Sequence, residues 1–188
     1  MLLFSGIGAM FWYNEYRYHL PTPIPGNYNP VSTGTSITLK GPLAALHTKP
    51  VFLHFFNPGC ACSRFNIPQF KALVDQFAGQ VDFAIVVISD KRVTAGDIHN
   101  KFGLNIPVSF DTSLAAACGV YSTPQAVLID SRHRLYYRGN YNQERYCTDE
   151  KSSFAKIAIT QLLQGYASPS FSPLALRAYG CQLISCKK

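Results

Sequence analysis

Two short, almost uninterrupted apolar segments constrain the fold of this chain more than any other feature of its sequence. They are PVFLHFF at residues 50–56 and VDFAIVVIS at residues 81–89. Apolar runs of this length are typical of strands that are buried on both faces of a sheet. The segment between them carries apolar side chains at helical spacing: Phe65, Phe70, Leu73, Val74 and Phe77. Buried strands joined by a helix predict an α/β fold.

The remaining elements follow from local patterns. Thr94 begins a helical segment at 94–102 and forms an approximate capping box with Asp97. Residues 125–130 and 135–138 flank a short polar turn, which predicts an antiparallel hairpin. Further elements are predicted as an edge strand at 36–40, a helix at 113–118, and a helix at 149–163 capped by Thr148. The order β-α-β-α-β-β-α predicts a mixed central sheet of about four to five strands flanked by helices.

Size and charge limit the classes of function. The chain has 188 residues, of which 47% are hydrophobic, and this suffices for the core of one domain. Its 17 Lys and Arg residues exceed its 10 Asp and Glu residues, for a net charge of +7. No run of basic residues is longer than two, whereas nucleic-acid binding calls for a concentrated basic patch. We therefore predict no nucleic-acid partner.

The first 13 residues carry no charge and end in Phe11, Trp12 and Tyr13, an arrangement typical of a membrane interface. As a helix this stretch would be about 20 Å long, shorter than the roughly 30 Å hydrocarbon core of a bilayer. It also lacks the positive n-region of a signal peptide. We predict a short or truncated membrane anchor rather than an amphipathic or buried helix. This places the domain in the cell envelope, on the periplasmic side of the inner membrane.

The predicted organisation follows from this anchor. Residues 1–20 form the anchor, and the proline-rich residues 21–36 form a semi-rigid linker. Residues 37–166 form the α/β domain. Residues 167–188 form a C-terminal extension that contains cysteine and is attached to the domain.

Six cysteines are spread through the chain: Cys60, Cys62, Cys118, Cys147, Cys181 and Cys186. An even number is compatible with an oxidising compartment. Cys60 and Cys62 are closer in sequence than the usual pair of zinc ligands, and Cys181 and Cys186 have no histidine nearby. We predict no resident metal or cofactor.

Cys60 is the candidate nucleophile, because it follows the strand break at residues 57–59 and begins a predicted helix. Backbone N–H groups and the positive end of the helix dipole stabilise a thiolate there. Arg64 adds positive charge one turn later. Cys62 lies about 200° round the helix from Cys60 and is expected to face elsewhere. The alternative for a single cysteine is a small buried side chain.

Two motifs resemble those of the thioredoxin superfamily. The pair Phe55-Phe56 precedes Cys60-Ala-Cys-Ser-Arg64, and Pro68 follows within the helix. Far downstream, residues 119–130 read GVYSTPQAVLID. Residues 50–163 are similar to membrane-anchored bacterial thiol-disulfide oxidoreductases and to the alkyl hydroperoxide reductase/thiol-specific antioxidant group. The resemblance implies a thioredoxin-like fold in which Thr123-Pro124 is a cis-proline segment that faces Cys60 and offers backbone atoms to an extended substrate.

The sequence departs from the family pattern at the second cysteine of C-x-x-C, which is replaced by Ser63. The usual intramolecular disulfide cannot form there, and Ser63 can only donate a hydrogen bond to the Cys60 thiolate. We therefore expect mixed disulfides at Cys60 that another thiol resolves, either Cys62 or Cys118. His54 lies where thioredoxins usually have a buried acid. It is either a proton relay or a hydrogen-bonded core histidine.

The other three cysteines, Cys147, Cys181 and Cys186, lie outside the resemblance. Structural disulfides are the expectation for an exported protein, with a redox role for the C-terminal tail as the alternative. Cys147 with Cys181 is one candidate pairing, and Cys181 with Cys186 is another. Since three is an odd number, at least one of these cysteines is free or pairs outside the group.

The resemblance implies a thiol-disulfide oxidoreductase or isomerase, in which Cys60 attacks protein disulfides and Pro124 holds the substrate strand. Its partners would be protein thiols or disulfides and a redox partner protein. A thiol peroxidase is an alternative, but peroxiredoxins place Thr or Ser and Pro at set offsets before the reactive cysteine, and neither Cys60 nor Cys62 has them. A third alternative is a non-catalytic module that holds Cu(I) through Cys60, Cys62 and His54.

Overall fold

The computed structural model of the protein describes residues 2–143, 150–167 and 170–183. The strands are β1 (Val51–Phe56), β2 (Asp82–Val87), β3 (Val108–Ser109), β4 (Ser122–Thr123), β5 (Gln125–Ile129), β6 (Leu135–Gly139) and β7 (Cys181–Gln182). The helices are α1 (Leu2–His19), α2 (Ala61–Phe65), α3 (Ile67–Phe77), α4 (Ala95–Phe102), α5 (Ser113–Ala117), α6 (Phe154–Leu163) and α7 (Pro173–Leu176). Short 3-10 turns lie at Gly41–Leu43 and Glu150–Ser152.

A five-stranded mixed sheet forms the centre of the protein, in the order β3-β2-β1-β5-β6. β1 is parallel to β2, and β2 is parallel to β3. β5 is antiparallel to β1, and β6 returns beside β5 as the second arm of the predicted hairpin. The predicted α/β fold with a mixed sheet is therefore confirmed. β4 and β7 pair separately as a two-stranded antiparallel ribbon.

β1 is the central strand, and all six of its side chains are buried, as its apolar run predicts. Successive side chains point to opposite faces of the sheet. Phe52 and Phe56 pack on one face with side chains of α3, β2 and α4. Leu53 and Phe55 pack on the other face with side chains of β2 and α5. This packing fixes the carboxyl end of β1, from which the chain continues to Cys60.

The helical segment predicted between the two apolar runs is divided into α2 and α3 at Asn66. Pro68 explains the division, because it has no N–H to donate to the carbonyl of Arg64 and its ring would contact that carbonyl. Pro68 instead lies in the first turn of α3, where no N–H is needed. Cys60 immediately precedes α2 as its N-cap residue, with extended backbone angles.

Several local predictions change. Residues 36–40 form one isolated bridge rather than an edge strand, because their backbone bonds to the turn at 133–135. The last long helix begins at Phe154 rather than at 149, and Thr148 lies outside the described residues. β3, β4 and β7 were not predicted, since two residues give no periodicity. The capping box of Thr94 and Asp97 is confirmed.

α1 carries exposed apolar side chains, among them Phe4, Phe11 and Trp12, each at least 70% exposed. Within the described residues, no helix combines the length and the apolar character that crossing a membrane requires.

The predicted linker at 21–36 is attached to the domain by polar and aromatic contacts. The Tyr28 hydroxyl donates a hydrogen bond to the carbonyl oxygen of Gly119 at 2.9 Å and accepts one from the Arg138 guanidinium. The Tyr28 ring also packs edge-on against Tyr121, with centroids 4.9 Å apart. These contacts hold the middle of the linker against Gly119, Tyr121 and Arg138.

Candidate redox site

The turn between β1 and α2 positions Cys60. The Asn57 side-chain oxygen accepts a hydrogen bond from the Gly59 N–H at 2.8 Å, and the Cys60 N–H donates to the Asn57 carbonyl at 3.0 Å. Ser63 is fully buried behind the turn, and its hydroxyl oxygen accepts a hydrogen bond from the Asn57 N–H at 3.3 Å. Ser63 therefore supports the backbone that presents Cys60. Arg64 is exposed on α2.

Cys60 forms a disulfide bond with Cys181, across 121 residues of sequence and with 6.4 Å between the Cα atoms. The two pairings considered for Cys181 from the sequence, with Cys147 and with Cys186, are both wrong for this structure. Cys147 and Cys186 themselves lie outside the described residues. Sequence spacing could not reveal the bond, because β7 is brought to Cys60 by its pairing with β4.

The disulfide lies beside a cis peptide bond between Thr123 and Pro124, as the resemblance implied. β7 runs antiparallel to β4, so that Cys181 is opposite Thr123 and Gln182 is opposite Ser122. The Cys60 sulfur lies 3.8 Å from the carbonyl oxygen of Thr123. The nucleophile candidate, the proline turn and the C-terminal cysteine thus meet at one place.

Thr22 joins the linker to this ribbon. Its hydroxyl donates a hydrogen bond to the carbonyl oxygen of Gly180 at 3.0 Å and lies 3.0 Å from the Ser122 hydroxyl. The Thr22 N–H donates to the carbonyl oxygen of Ala178 at 2.8 Å. Thr22 is only 3% exposed, so the linker covers the segment that carries Cys181. No sequence signal had singled out Thr22.

Cys62 is a free, buried cysteine whose sulfur clusters with those of Cys60 and Cys181, all within 4.8 Å of one another. The expectation that Cys62 faces elsewhere is wrong. Cys60 has extended backbone angles outside the helix, so helical spacing does not relate the two side chains. When reduced, the three thiolates could hold a soft ion such as Cu(I), with Cys181 in place of the predicted ligand His54.

Cys118 is a poor candidate for the resolving thiol. It is fully buried in the core on the face of the sheet that contains Phe55, and it is free. Burial raises the pKa of its thiol to about 12, although Arg138 acts in the opposite direction. A thiol that stays protonated near neutral pH attacks disulfides slowly, and Cys118 is not part of the sulfur cluster.

His54 is a core histidine. It is fully buried, its Nδ1 lies 2.6 Å from the Tyr141 hydroxyl, and its ring stacks on Phe70 with centroids 4.8 Å apart. Burial lowers the His54 pKa from 6.5 to about 3. The imidazole is therefore neutral near pH 7, which does not suit a proton relay at that pH.

The buried His54 predicts a pH-dependent loss of stability. Below pH 6.5, His54 binds a proton in the unfolded chain but stays neutral in the folded protein. The contribution of neutral His54 to the free energy of unfolding is complete above pH 6.5. It decreases as the pH is lowered from 6.5 towards 3, by about 1.4 kcal/mol per pH unit. Urea unfolding of the protein and of His54→Gln, which cannot titrate, measures this slope as the difference between them. Parallel pH profiles of the two proteins would show that folded His54 does accept the proton.

Several solved structures are similar to this chain in fold. A hypothetical protein from Sinorhizobium meliloti 1021 is 19% identical, covers 83% of this chain and 96% of its own, and gives a TM-score of 0.69. An uncharacterized conserved protein from Geobacillus kaustophilus is 14% identical, with coverages of 86% and 97% and a TM-score of 0.63. A thiol:disulfide interchange protein of the thioredoxin family from Chlorobium tepidum TLS is 19% identical, with coverages of 71% and 99% and a TM-score of 0.51. No curated protein matches the sequence.

The protein has a thioredoxin-like fold, in which a cysteine after β1 is bonded to a C-terminal cysteine beside a cis-proline. More narrowly, the chain belongs to the family DUF6436, described as a domain of unknown function, whose model matches residues 32–183. The matched region contains both Cys60 and Cys181.

Proposed function

We propose that the protein is a thiol-disulfide oxidoreductase that acts on protein thiols or disulfides, with Cys60 and Cys181 as its redox couple. The observation that carries the proposal is the Cys60–Cys181 bond beside the Thr123–Pro124 turn. Ser63 has taken the usual place of a second cysteine, and Cys181 supplies the missing thiol from a distant part of the chain. A thioredoxin-like fold alone would not support this activity.

The couple allows a complete exchange reaction. In the reduced protein, the Cys60 thiolate attacks a substrate disulfide, forms a mixed disulfide and releases the first substrate sulfur as a thiolate. The Cys181 thiolate then attacks the Cys60 sulfur and releases the second substrate sulfur. Two electrons pass to the substrate, both released thiolates take protons from solvent, and the Cys60–Cys181 bond remains. A dithiol partner protein returns the couple to the reduced state, and the reverse sequence oxidises a substrate dithiol.

A redox titration tests this proposal. We expect the protein, equilibrated in mixtures of reduced and oxidised glutathione, to interconvert between a free Cys60–Cys181 pair and the disulfide in one two-electron transition. Peptide mapping after alkylation identifies the bond at each potential. Cys62→Ser and Cys118→Ser are matched controls that should leave the midpoint unchanged. Failure to recover a Cys60–Cys181 peptide at any potential would overturn the proposal.

We also propose that α1 attaches the domain to a membrane on the periplasmic side of the cell envelope. The support is the exposure of apolar side chains along α1, including Phe11 and Trp12, and the disulfide bond, which persists in oxidising compartments. Aromatic side chains of this kind favour the membrane interface.

Binding to vesicles of phosphatidylglycerol and phosphatidylethanolamine tests the attachment. Phe11, which is 77% exposed, is expected to enter the bilayer, so that Phe11→Asp lowers the partition coefficient about tenfold. Phe110 is also exposed but lies on the domain, and Phe110→Asp is the matched control. Co-sedimentation that is unchanged by Phe11→Asp would refute the attachment.

A further inference from the structure

We propose that the tail segment, residues 178–183, occupies the protein's own peptide-binding groove, and that peptides which replace it carry glycine directly before their reacting cysteine. This inference rests on the proposed function and names the substrate class of the same site. It begins from the pairing of β7 with β4, which positions the tail as an extended strand on the site.

The tail makes the contacts that a bound peptide strand would make. Cys181 is opposite Thr123 in the antiparallel ribbon and is joined to Cys60 through sulfur. The Leu183 N–H donates to the carbonyl oxygen of Tyr121 at 3.4 Å, which extends the pairing. Backbone pairing of this kind accepts many sequences, whereas the adjoining side-chain positions determine specificity. The tail thus has the form of a mixed disulfide between Cys60 and an extended substrate.

The carbonyl group of Thr123 gives the groove its selectivity for glycine. A Cβ atom built at residue 180 would overlap the carbonyl oxygen of Thr123 and would lie 2.9 Å from the Ser122 hydroxyl oxygen. The carbonyl belongs to the backbone next to Pro124, so it cannot move aside as a flexible side chain would. Any strand that places its cysteine where Cys181 lies therefore needs glycine at the preceding position.

The tail also closes the groove while the disulfide is intact. Cys60 is only 1% exposed. The linker covers the tail and is hydrogen-bonded to it. The Thr22 hydroxyl donates to the Gly180 carbonyl, and the side-chain nitrogen of Gln182 lies 3.5 Å from the carbonyl oxygen of Pro23. An external strand can take this place only after the Cys60–Cys181 bond is broken and the tail moves. The tail is therefore an intramolecular competitor of the substrate.

Two activated peptides test the inference. One has the tail sequence Ala-Tyr-Gly-Cys-Gln-Leu, and the other has Ala in place of Gly; each carries an aryl thiol on its cysteine as a mixed disulfide. The Cys60 thiolate attacks the peptide sulfur, a Cys60–peptide disulfide forms, and the aryl thiolate leaves and is measured by its absorbance. The protein is the reduced full chain with Cys181→Ser, and the double variant Cys60→Ser/Cys181→Ser gives the background from the other cysteines.

We expect the glycine peptide to react with Cys181→Ser at least about tenfold faster than the alanine peptide. Adding Gly180→Ala should displace the competing tail and raise the rate of the glycine peptide by about tenfold. Gly79→Ala is the matched control, because a Cβ there has no atom within 4 Å. The urea midpoints of the double variants check that they fold, and the peptide comparison in Cys181→Ser does not depend on them.

The outcomes separate this inference from the proposed function. Equal rates for the two peptides, or no gain from Gly180→Ala in a folded variant, overturn the inference and leave the proposed function standing. Rates for both peptides that do not exceed the background of Cys60→Ser/Cys181→Ser overturn the proposed function itself.

Discussion

Replacing Cys60 by serine is expected to lower the catalysed reduction of insulin disulfides by roughly a thousandfold or more, because a serine hydroxyl is not ionised near pH 7 and cannot form a disulfide. Cys60 forms the disulfide bond with Cys181. Its N–H donates to the carbonyl of Asn57, and its sulfur lies beside the carbonyl oxygen of Thr123. Turnover with dithiothreitol as reductant measures the effect.

Cys62→Ser is the matched control for Cys60→Ser. Cys62 belongs to the same sulfur cluster but is free in the oxidised protein, so its replacement should change turnover by no more than a few-fold. If Cys62→Ser lost as much activity as Cys60→Ser, the nucleophile would have been assigned to the wrong cysteine or would be shared between the two.

Replacing Cys181 by serine is expected to separate the two halves of the reaction. Attack by Cys60 on the first substrate sulfur does not require Cys181, whereas release of the second substrate sulfur does. When the reduced protein is the only reductant, release of fully reduced product should slow by about a hundredfold, because the resolving thiol no longer lies at high effective concentration. Acid quenching and mass measurement of the mixture follow both the adduct and the product.

The alternative resolver determines the control for this experiment. The sequence offered Cys62 and Cys118, and burial raises the pKa of the Cys118 thiol, which slows its attack near neutral pH. Cys62→Ser should release product as the unaltered protein does. Stalled product release in Cys62→Ser, together with normal release in Cys181→Ser, would assign the resolving role to Cys62 instead.

The main parts of the fold could be predicted because they depend on local patterns. The apolar run at 50–56 identifies a strand buried on both faces, and Thr94 with Asp97 identifies the start of α4. The division between α2 and α3 has a local cause as well, since Pro68 excludes a continuous helix. The strands β4 and β7 have only two residues each, and their existence depends on contacts between distant segments.

In the candidate site too, local motifs identify some residues, whereas others become apparent only in the folded chain. Cys60 and the Thr123–Pro124 turn each lie in a recognisable motif, and the structure brings them together. Cys181 lies 121 residues from its partner, and no periodicity or spacing connects such a pair. The reason for Gly180 becomes visible only when the Thr123 carbonyl is in place beside it. His54 was left between two roles, and the measure that separates them, its depth of burial, is a property of the folded chain.

In the proposed reaction, Cys60 attacks the substrate and Cys181 resolves the adduct. The most direct measurement is peptide mapping of the adduct that Cys181→Ser forms with insulin, after rapid quenching and alkylation of the free thiols. We expect an insulin cysteine joined to Cys60 in the variant, and the Cys60–Cys181 peptide with no lasting adduct in the unaltered protein. An insulin cysteine joined to Cys62 instead of Cys60, or no adduct in Cys181→Ser, would contradict it.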